Sequence, residues 1–335
     1  MRLATYNVEW FNTLFDDDNR LQRDQTWSAR YKVTRQAQAD ALGHVFAAMD
    51  ADAVMVIEAP DSGSKRDTIS ALEDFAQVYG LRTRAAILGF ANDTHQEIAM
   101  LYDPDVLTLQ HTPRAGHLDI PRFDGVFSID LDVDATKDAV RFSKPPLELS
   151  ALTASGFEFH MIGVHLKSKA PHAAKSPDDI KPVAIANRRK QLAQAIWLRA
   201  RIDQVLDEAL PLIVMGDMND GPGLDIFEDL FGHSSVEIVL GRGAGRQLYD
   251  PHAERALTHR FGPAPTTARF WIKTEKSYLQ ALLDYIMVSP DLRSLGPSWR
   301  IWHPLDDPAC WADEALRQAL VTASDHFPVS IDLAV

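Results

Sequence analysis

Apolar residues along this chain fall into two alternating patterns. Short runs that are apolar almost throughout read as buried strands, and longer runs with an apolar residue every three or four positions read as helices. Leu3 to Val8 is predicted as a first strand. AVMVI, at Ala53 to Ile57, is predicted as a strand buried on both faces that delivers Glu58 at its C-terminal end. Between them Val33, Ala37, Ala41, Val45 and Met49 recur every four residues and predict a helix over 30–49. A further helix is predicted over 68–79, with Ile69, Leu72, Phe75, Ala76 and Tyr79 in register and Gly80 placed to cap it.

The middle of the chain reads differently. IAMLYDP, VLTLQ, VFSIDLDV, LELSAL and FEFHMIGVHL follow one another as strands without helices between them, which points to antiparallel neighbours. A long helix over 184–208 then precedes the apolar strand PLIVMG, which ends at Asp217. Residues 220–280 hold Gly and Pro with weak periodicity and read as long loops. Two strands, LLDYIMVS and FPVSIDL, close the chain around a segment rich in Trp and Pro. With no internal repeat, low-complexity tract or linker, a single α/β domain over 1–335 with two sheets is expected.

Charge narrows the function classes. The 335 residues include 34 basic and 47 acidic ones, a formal net charge of −13, which argues against a uniformly basic surface coating nucleic acid. The one cysteine, Cys310, cannot form an intramolecular disulfide. The N-terminal MRLATYNVEWF lacks a secretory apolar core, and no uncharged apolar run approaches the ~20 residues that span a bilayer. A cytoplasmic protein without a membrane partner is therefore expected.

The candidate chemistry lies where polar residues abut the apolar strands. Asn7 stands near the end of the first strand, Glu58 after the second, Asp217 and Asn219 after PLIVMG, Asp284 inside LLDYI, and Asp325 and His326 before the last strand. Any one of these reads equally as a turn residue bonding its own backbone. Together they suggest a shared site at strand ends, and clustered carboxylates call for a divalent cation. Oxygen-only ligands suit Mg²⁺, with Mn²⁺ as a substitute. Asp284, in an apolar run, needs a partner to offset its burial, and His326 is the candidate.

YNVEW, VIEAPD, GVHLKSK, GDMND, LDYIMVS and SDHFPV resemble, in this order and over nearly the whole chain, the motifs of the endonuclease/exonuclease/phosphatase superfamily. The resemblance implies a four-layer fold, two packed mainly antiparallel sheets flanked by helices, and Mg²⁺-dependent cleavage of a phosphoester. It implies that Glu58, with Asn7 and Asp325, holds the metal, and that Asp217 and Asn219 orient the attacking water and hold a phosphate oxygen. It further implies that His326, paired with Asp284, contacts the scissile phosphate. Either His326 or Asp217 is then the general base. His165 falls where the family places a group that binds phosphate or helps protonate the leaving oxygen, and Lys144 where many nucleases carry an Arg on phosphate.

Residues 165–190 add a local surplus that the total conceals: Lys167, Lys169, Lys175, Lys181, Arg188, Arg189 and Lys190 against Asp178 and Asp179. Such a stretch suits phosphate but also describes a solvated helix start. Lys167, Lys144 and Arg188 are taken as substrate contacts. Glu9, on the same strand face as Asn7, is compatible with a metal or supporting role. His172, His233, His252, His259 and His303 read as surface residues, and Phe270 and Trp271 either as a stacking surface or as core. A Mg²⁺-dependent phosphodiesterase, a nuclease acting on nucleic acid, is the first reading. A phosphatase or lipid phosphodiesterase on a small phosphorylated molecule is the second, and a noncatalytic binding protein on the same scaffold the third.

Overall fold

Two sheets stack face to face because their strands carry apolar side chains on both faces, one toward the other sheet and one toward a helical layer. The computed structural model describes residues 1–92, 94–116, 120–131, 138–171, 174–222, 232–241, 246–258, 264–272 and 276–335. In chain order the strands are β1 (Arg2–Asn7), β2 (Ala53–Ala59), β3 (Ala85–Leu88), β4 (Glu97–Tyr102), β5 (Leu107–His111), β6 (Phe127–Ile129), β7 (Asp138–Val140) and β8 (Leu147–Thr153). They continue with β9 (Glu158–His165), β10 (Leu212–Asp217), β11 (Ala268–Ile272), β12 (Ser277–Ala281), β13 (Asp284–Val288), β14 (Ser298–Ile301) and β15 (Val329–Asp332). One sheet runs β14-β15-β1-β2-β4-β3 and the other β13-β10-β9-β8-β5, while β6-β7 and β11-β12 form separate hairpins.

Along β2, Ala53, Met55 and Ile57 face the second sheet, and Val54 and Val56 face the helices α1 (Arg35–Met49) and α2 (Thr68–Tyr79). Met161, Ile213, Met215 and Ile286 answer from the second sheet. Each such side chain, removed from water, contributes about 1.5–3 kcal/mol. At Gly163 on β9 a side chain would overlap the Sδ of Met55, so glycine lets the two sheets pack there. The outer face of the second sheet packs on α3 (Pro177–Asp207) through Leu198, Ile202 and Val205, with Trp197 fully buried between that helix and Phe123, Phe127 and Phe142. The result is the four-layer helix, sheet, sheet, helix order the sequence implies.

Each large sheet contains one parallel pair, β1 with β2 and β9 with β10, and all other pairings in them are antiparallel. The C-terminal ends of both pairs meet at one end of the sandwich, because Asn7 at the end of β1 reaches Asp217 at the end of β10. Strand ends that converge there are the ones that carry the polar motif residues.

Several boundaries differ from expectation. Helix α1 starts at Arg35, since Thr34 accepts the Ala37 N–H as its N-cap, so Val33 precedes the helix. Helix α3 starts at Pro177, seven residues earlier than its apolar pattern, because Ser176 and Asp179 form a capping box and Pro177 suits the first turn. The 220–280 region is not all loop: it holds α4 (Ser235–Leu240), a helix at Pro251–Thr258 and the β11-β12 hairpin. The Trp- and Pro-rich segment supplies β14 and the helix Glu314–Ala323. VFSIDLDV is a strand only at Phe127–Ile129, and its end, with His172 and His259, lies outside the described residues. His303 is buried, not at the surface, with Nδ1 accepting the N–H groups of Leu305 and Asp306 and its ring edge-on to Phe327.

Candidate active site

Asp217, the last residue of β10, is flanked in register by His165 on β9 and Asp284 on β13. Burial among strands would leave its carboxylate unpaired, and three neighbours prevent that. Asn7 Nδ2 donates to Oδ2 at 3.1 Å, the Asn219 N–H donates to Oδ1 at 2.7 Å, and His326 Nε2 lies 3.9 Å from Oδ2. Burial still pushes its pKa up, to about 7, against the pull of His326.

His326 is oriented from behind. Its Nδ1 is 2.8 Å from Asp284 Oδ2. Burial alone would lower the imidazole, but the carboxylates of Asp284 and Asp217 outweigh it and raise the group to about 10. The loop carrying it is tied by Ser324, whose hydroxyl donates to the Asn7 carbonyl at 2.7 Å and accepts the His326 N–H at 3.0 Å. On the other side the Arg269 N–H on β11 donates to the Asp325 carbonyl at 2.7 Å, and Phe270 meets the His326 ring edge to face at 5.4 Å. The Asp284–His326 pair expected from sequence is therefore made.

Glu58 owes its aim to backbone irregularity. The β2/β4 register shifts between Ile57 and Ala59, and Glu58 sits at this bulge with φ of 65°. Its Oε2 accepts the Trp10 N–H at 2.9 Å and Gln96 Nε2 at 2.5 Å, both neutral donors. Glu9, Trp10 and Asn219 also line the cleft with positive φ, so four of the nine non-glycine residues in that region among the described residues cluster here. Strained backbone concentrates at sites that need fixed geometry.

Lys144 Nζ lies 3.2 Å from His165 Nδ1, and its charge also acts on Glu58 and Asp217. With the ammonium as donor, the ring proton belongs on Nε2, which is 3.7 Å from Asp217 Oδ2. Burial, then Lys144, hold His165 well below the usual imidazole range, so it is a neutral donor. Asn219 gives its amide N–H to the Leu166 carbonyl at 3.0 Å. Lys167 is held by its backbone between Gln194 and Gln191, and burial lowers its ammonium and that of Lys144.

The cleft these residues enclose measures about 780 Å³ and is lined by Asn7, Glu58, Lys144, His165, Lys167, Asp217, Asn219, Asp325 and His326 among others. Asp284 stands behind His326. Arg188 is corrected: it is 1% exposed and absent from the lining, with Nη1 on Asp220 Oδ2 at 2.6 Å. It anchors the β10 loop, a place that its spacing from Leu198, Ile202 and Val205 on α3 could have indicated. Gln96, just before β4, carries no sequence signal of its part in the site, and Lys169 of the basic stretch reaches Asp220 at 2.6 Å.

Two oxygen and nitrogen sets could receive a cation. One atom each of Asp217, Asp284 and His326 lie within 4.8 Å of one another, but His326 Nδ1 already occupies Asp284 Oδ2, while Asp284 Oδ1 is buried without a hydrogen-bond partner among the described residues. Asn7, Glu58 and Asp325 line the cleft, and Glu58 takes its hydrogen bonds from neutral donors, so this oxygen-bearing set suits a hard divalent ion.

The model of the Endonuclease/Exonuclease/phosphatase family matches residues 4–326. The chain belongs to this family. Family members are metal-dependent hydrolases of phosphoester bonds. Solved structures with the endonuclease/exonuclease/phosphatase fold include an AP endonuclease from Archaeoglobus fulgidus, 13% identical with a TM-score of 0.52, and a mannosyl-6-phosphatase from Bacteroides thetaiotaomicron, 16% identical with a TM-score of 0.50. Each alignment covers 100% of both chains, and at this identity they show the shared fold alone. No curated protein sequence matches the chain. No helix among the described residues is long and apolar enough to cross a membrane.

Proposed function

We propose that the cleft hydrolyses phosphodiester bonds with the help of Mg²⁺, and that the substrate is a nucleic acid. The observation that supports the reading is the line Asp284, His326, Asp217, which ends in a cleft lined also by Asn7, Glu58, Asp325, Lys144 and Lys167. Phosphoester hydrolysis needs an activated water, neutralisation of charge on the phosphoryl oxygens and help for the leaving oxygen.

Asp217, raised to about 7, is a carboxylate of useful basicity near neutrality and is the general base. His326, raised to about 10 between two carboxylates, is an imidazolium at neutral pH and so a donor to the phosphate, not the base. His165 Nε2–H and Lys144 add donors on the other side. A divalent ion held by Glu58, Asn7 and Asp325 supplies Lewis-acid charge when bound.

A small phosphorylated substrate is the second reading. The net charge of −13 favours it, because a long polyanion is repelled outside the cleft. Assays of plasmid, single-stranded DNA, RNA, abasic duplex, inositol phosphates and sphingomyelin, each with Mg²⁺ or chelator, separate the two. A nuclease gives Mg²⁺-dependent cleavage of nucleic acid with a rate that falls steeply as salt rises. Turnover of small phosphoesters alone, with weak salt dependence, overturns the nuclease reading.

A further inference from the structure

Glu9 lies in the same cleft as Asn7 and Asp325 and has the chemistry of another oxygen ligand, yet its carboxylate is already committed. Arg30, from the loop before α1, forms an ion pair with Glu9 Oε2, and the same oxygen accepts the Asp325 N–H at 2.9 Å. The Arg30 side chain is only 13% exposed and is fixed at its other end by Nη2 donating to the Val321 carbonyl at 3.1 Å. A guanidinium this buried persists only where carboxylates compensate it. Its field also reaches Asp325.

Charge pairing separates the cleft carboxylates into two kinds. Asp217 faces His326 and Glu9 faces Arg30, so each has a fixed cation. Glu58 takes its hydrogen bonds from neutral donors and feels the Lys144 charge through space, and Asp325 shares the influence of Arg30 and His326. Arg30 thus places a fixed positive charge at the corner that Glu9 and Asp325 share, and that corner needs no divalent ion to offset its carboxylates.

We infer that Arg30 is a resident cation standing where a second divalent ion would otherwise bridge Glu9 and Asp325, so that the cleft takes a single metal ion. This rests on the metal-dependent reading above. Arg cannot lose its charge near neutral pH and cannot be removed by chelation, which makes it a permanent occupant of that corner. Glu9 is accordingly a positioning residue for Asp325, through its backbone N–H, and not a ligand.

Mn²⁺ titration followed by electron paramagnetic resonance, which counts bound ions without any assay of turnover, tests this. The expected stoichiometry is one Mn²⁺ per chain for the natural protein, two for Arg30→Met, and one again for Arg30→Met combined with Glu9→Gln. Two ions in the natural protein, or one in a folded Arg30→Met variant, overturns the inference. Should Arg30→Met not fold, Glu9→Gln alone decides: Mn²⁺ affinity within about twofold of the natural protein supports it, and a loss of tenfold or more makes Glu9 a ligand and overturns it. No Mn²⁺ binding by the natural protein overturns the metal-dependent reading as well, an outcome distinct from a count of two.

Discussion

His326 is held between two carboxylates, its Nδ1 2.8 Å from Asp284 Oδ2 and its Nε2 3.9 Å from Asp217 Oδ2. That arrangement makes the imidazole a cation at neutral pH and fixes the face it turns to the cleft. Replacing Asp284 by Asn removes the nearer charge while keeping the shape. The rate is expected to fall by about 10²–10⁴-fold, and the His326 titration, followed by NMR, to move down from about 10. An unchanged titration in a folded Asp284→Asn protein contradicts the pairing.

The pH profile follows from the two groups that face each other across the cleft. A base must be unprotonated and a phosphate donor protonated. Hydrolysis should therefore rise as pH passes through about 7, where Asp217 ionises, and fall as pH passes through about 10, where His326 loses its proton. In the intervening range the rate is flat. Initial rates across this range check the signs: activity that falls on passing upward through 7 reverses the assignment of base and donor.

Glu58 is the cleft carboxylate met only by neutral hydrogen-bond donors. Glu58→Gln preserves those contacts and removes the charge, so metal affinity should drop by tenfold or more, on the order of the loss seen when a supporting residue of a metal site is removed. Isothermal titration with Mn²⁺ measures this. Unaltered affinity in Glu58→Gln moves the metal site elsewhere.

Arg188 and Asp220 form a buried pair in which Asp220 also accepts Lys169 and the Ser235 N–H. Removing Arg188 leaves Asp220 paired with Lys169 but strips the buried hydrogen bonds the guanidinium makes to Asp220 and Gln191. Arg188→Ala is expected to cost about 1.5–3 kcal/mol of stability by denaturant unfolding, with KM unchanged in the folded fraction. A large rise in KM with little loss of stability would restore Arg188 as a substrate contact.

Most of the strands that carry site residues were legible because burial on both faces leaves apolar runs such as AVMVI and PLIVMG, whose ends mark Glu58 and Asp217. The pairing of Asp284 with His326 was legible for the related reason that a carboxylate in LLDYIM needs a partner. A run of positive charge suggests a surface, but the helical period puts Arg188 beside Gln191 on the inward face of α3. The β11-β12 hairpin was hidden because Trp271, Tyr278 and Leu279 stay exposed, so no alternation of buried and exposed positions reveals it. Gln96 and Arg30 reach the site from loops by contacts over 38 and 21 positions, which no local pattern encodes.

The most direct test of a metal-assisted, Asp217-dependent phosphoesterase compares the natural protein with Asp217→Asn on the best substrate of the panel, with Mg²⁺, with chelator, and with Mg²⁺ restored. Turnover that chelator abolishes and Mg²⁺ restores, and that Asp217→Asn lowers by about 10²–10⁴-fold, is the expected result. Turnover indifferent to chelator, or undiminished in a folded Asp217→Asn protein, contradicts it.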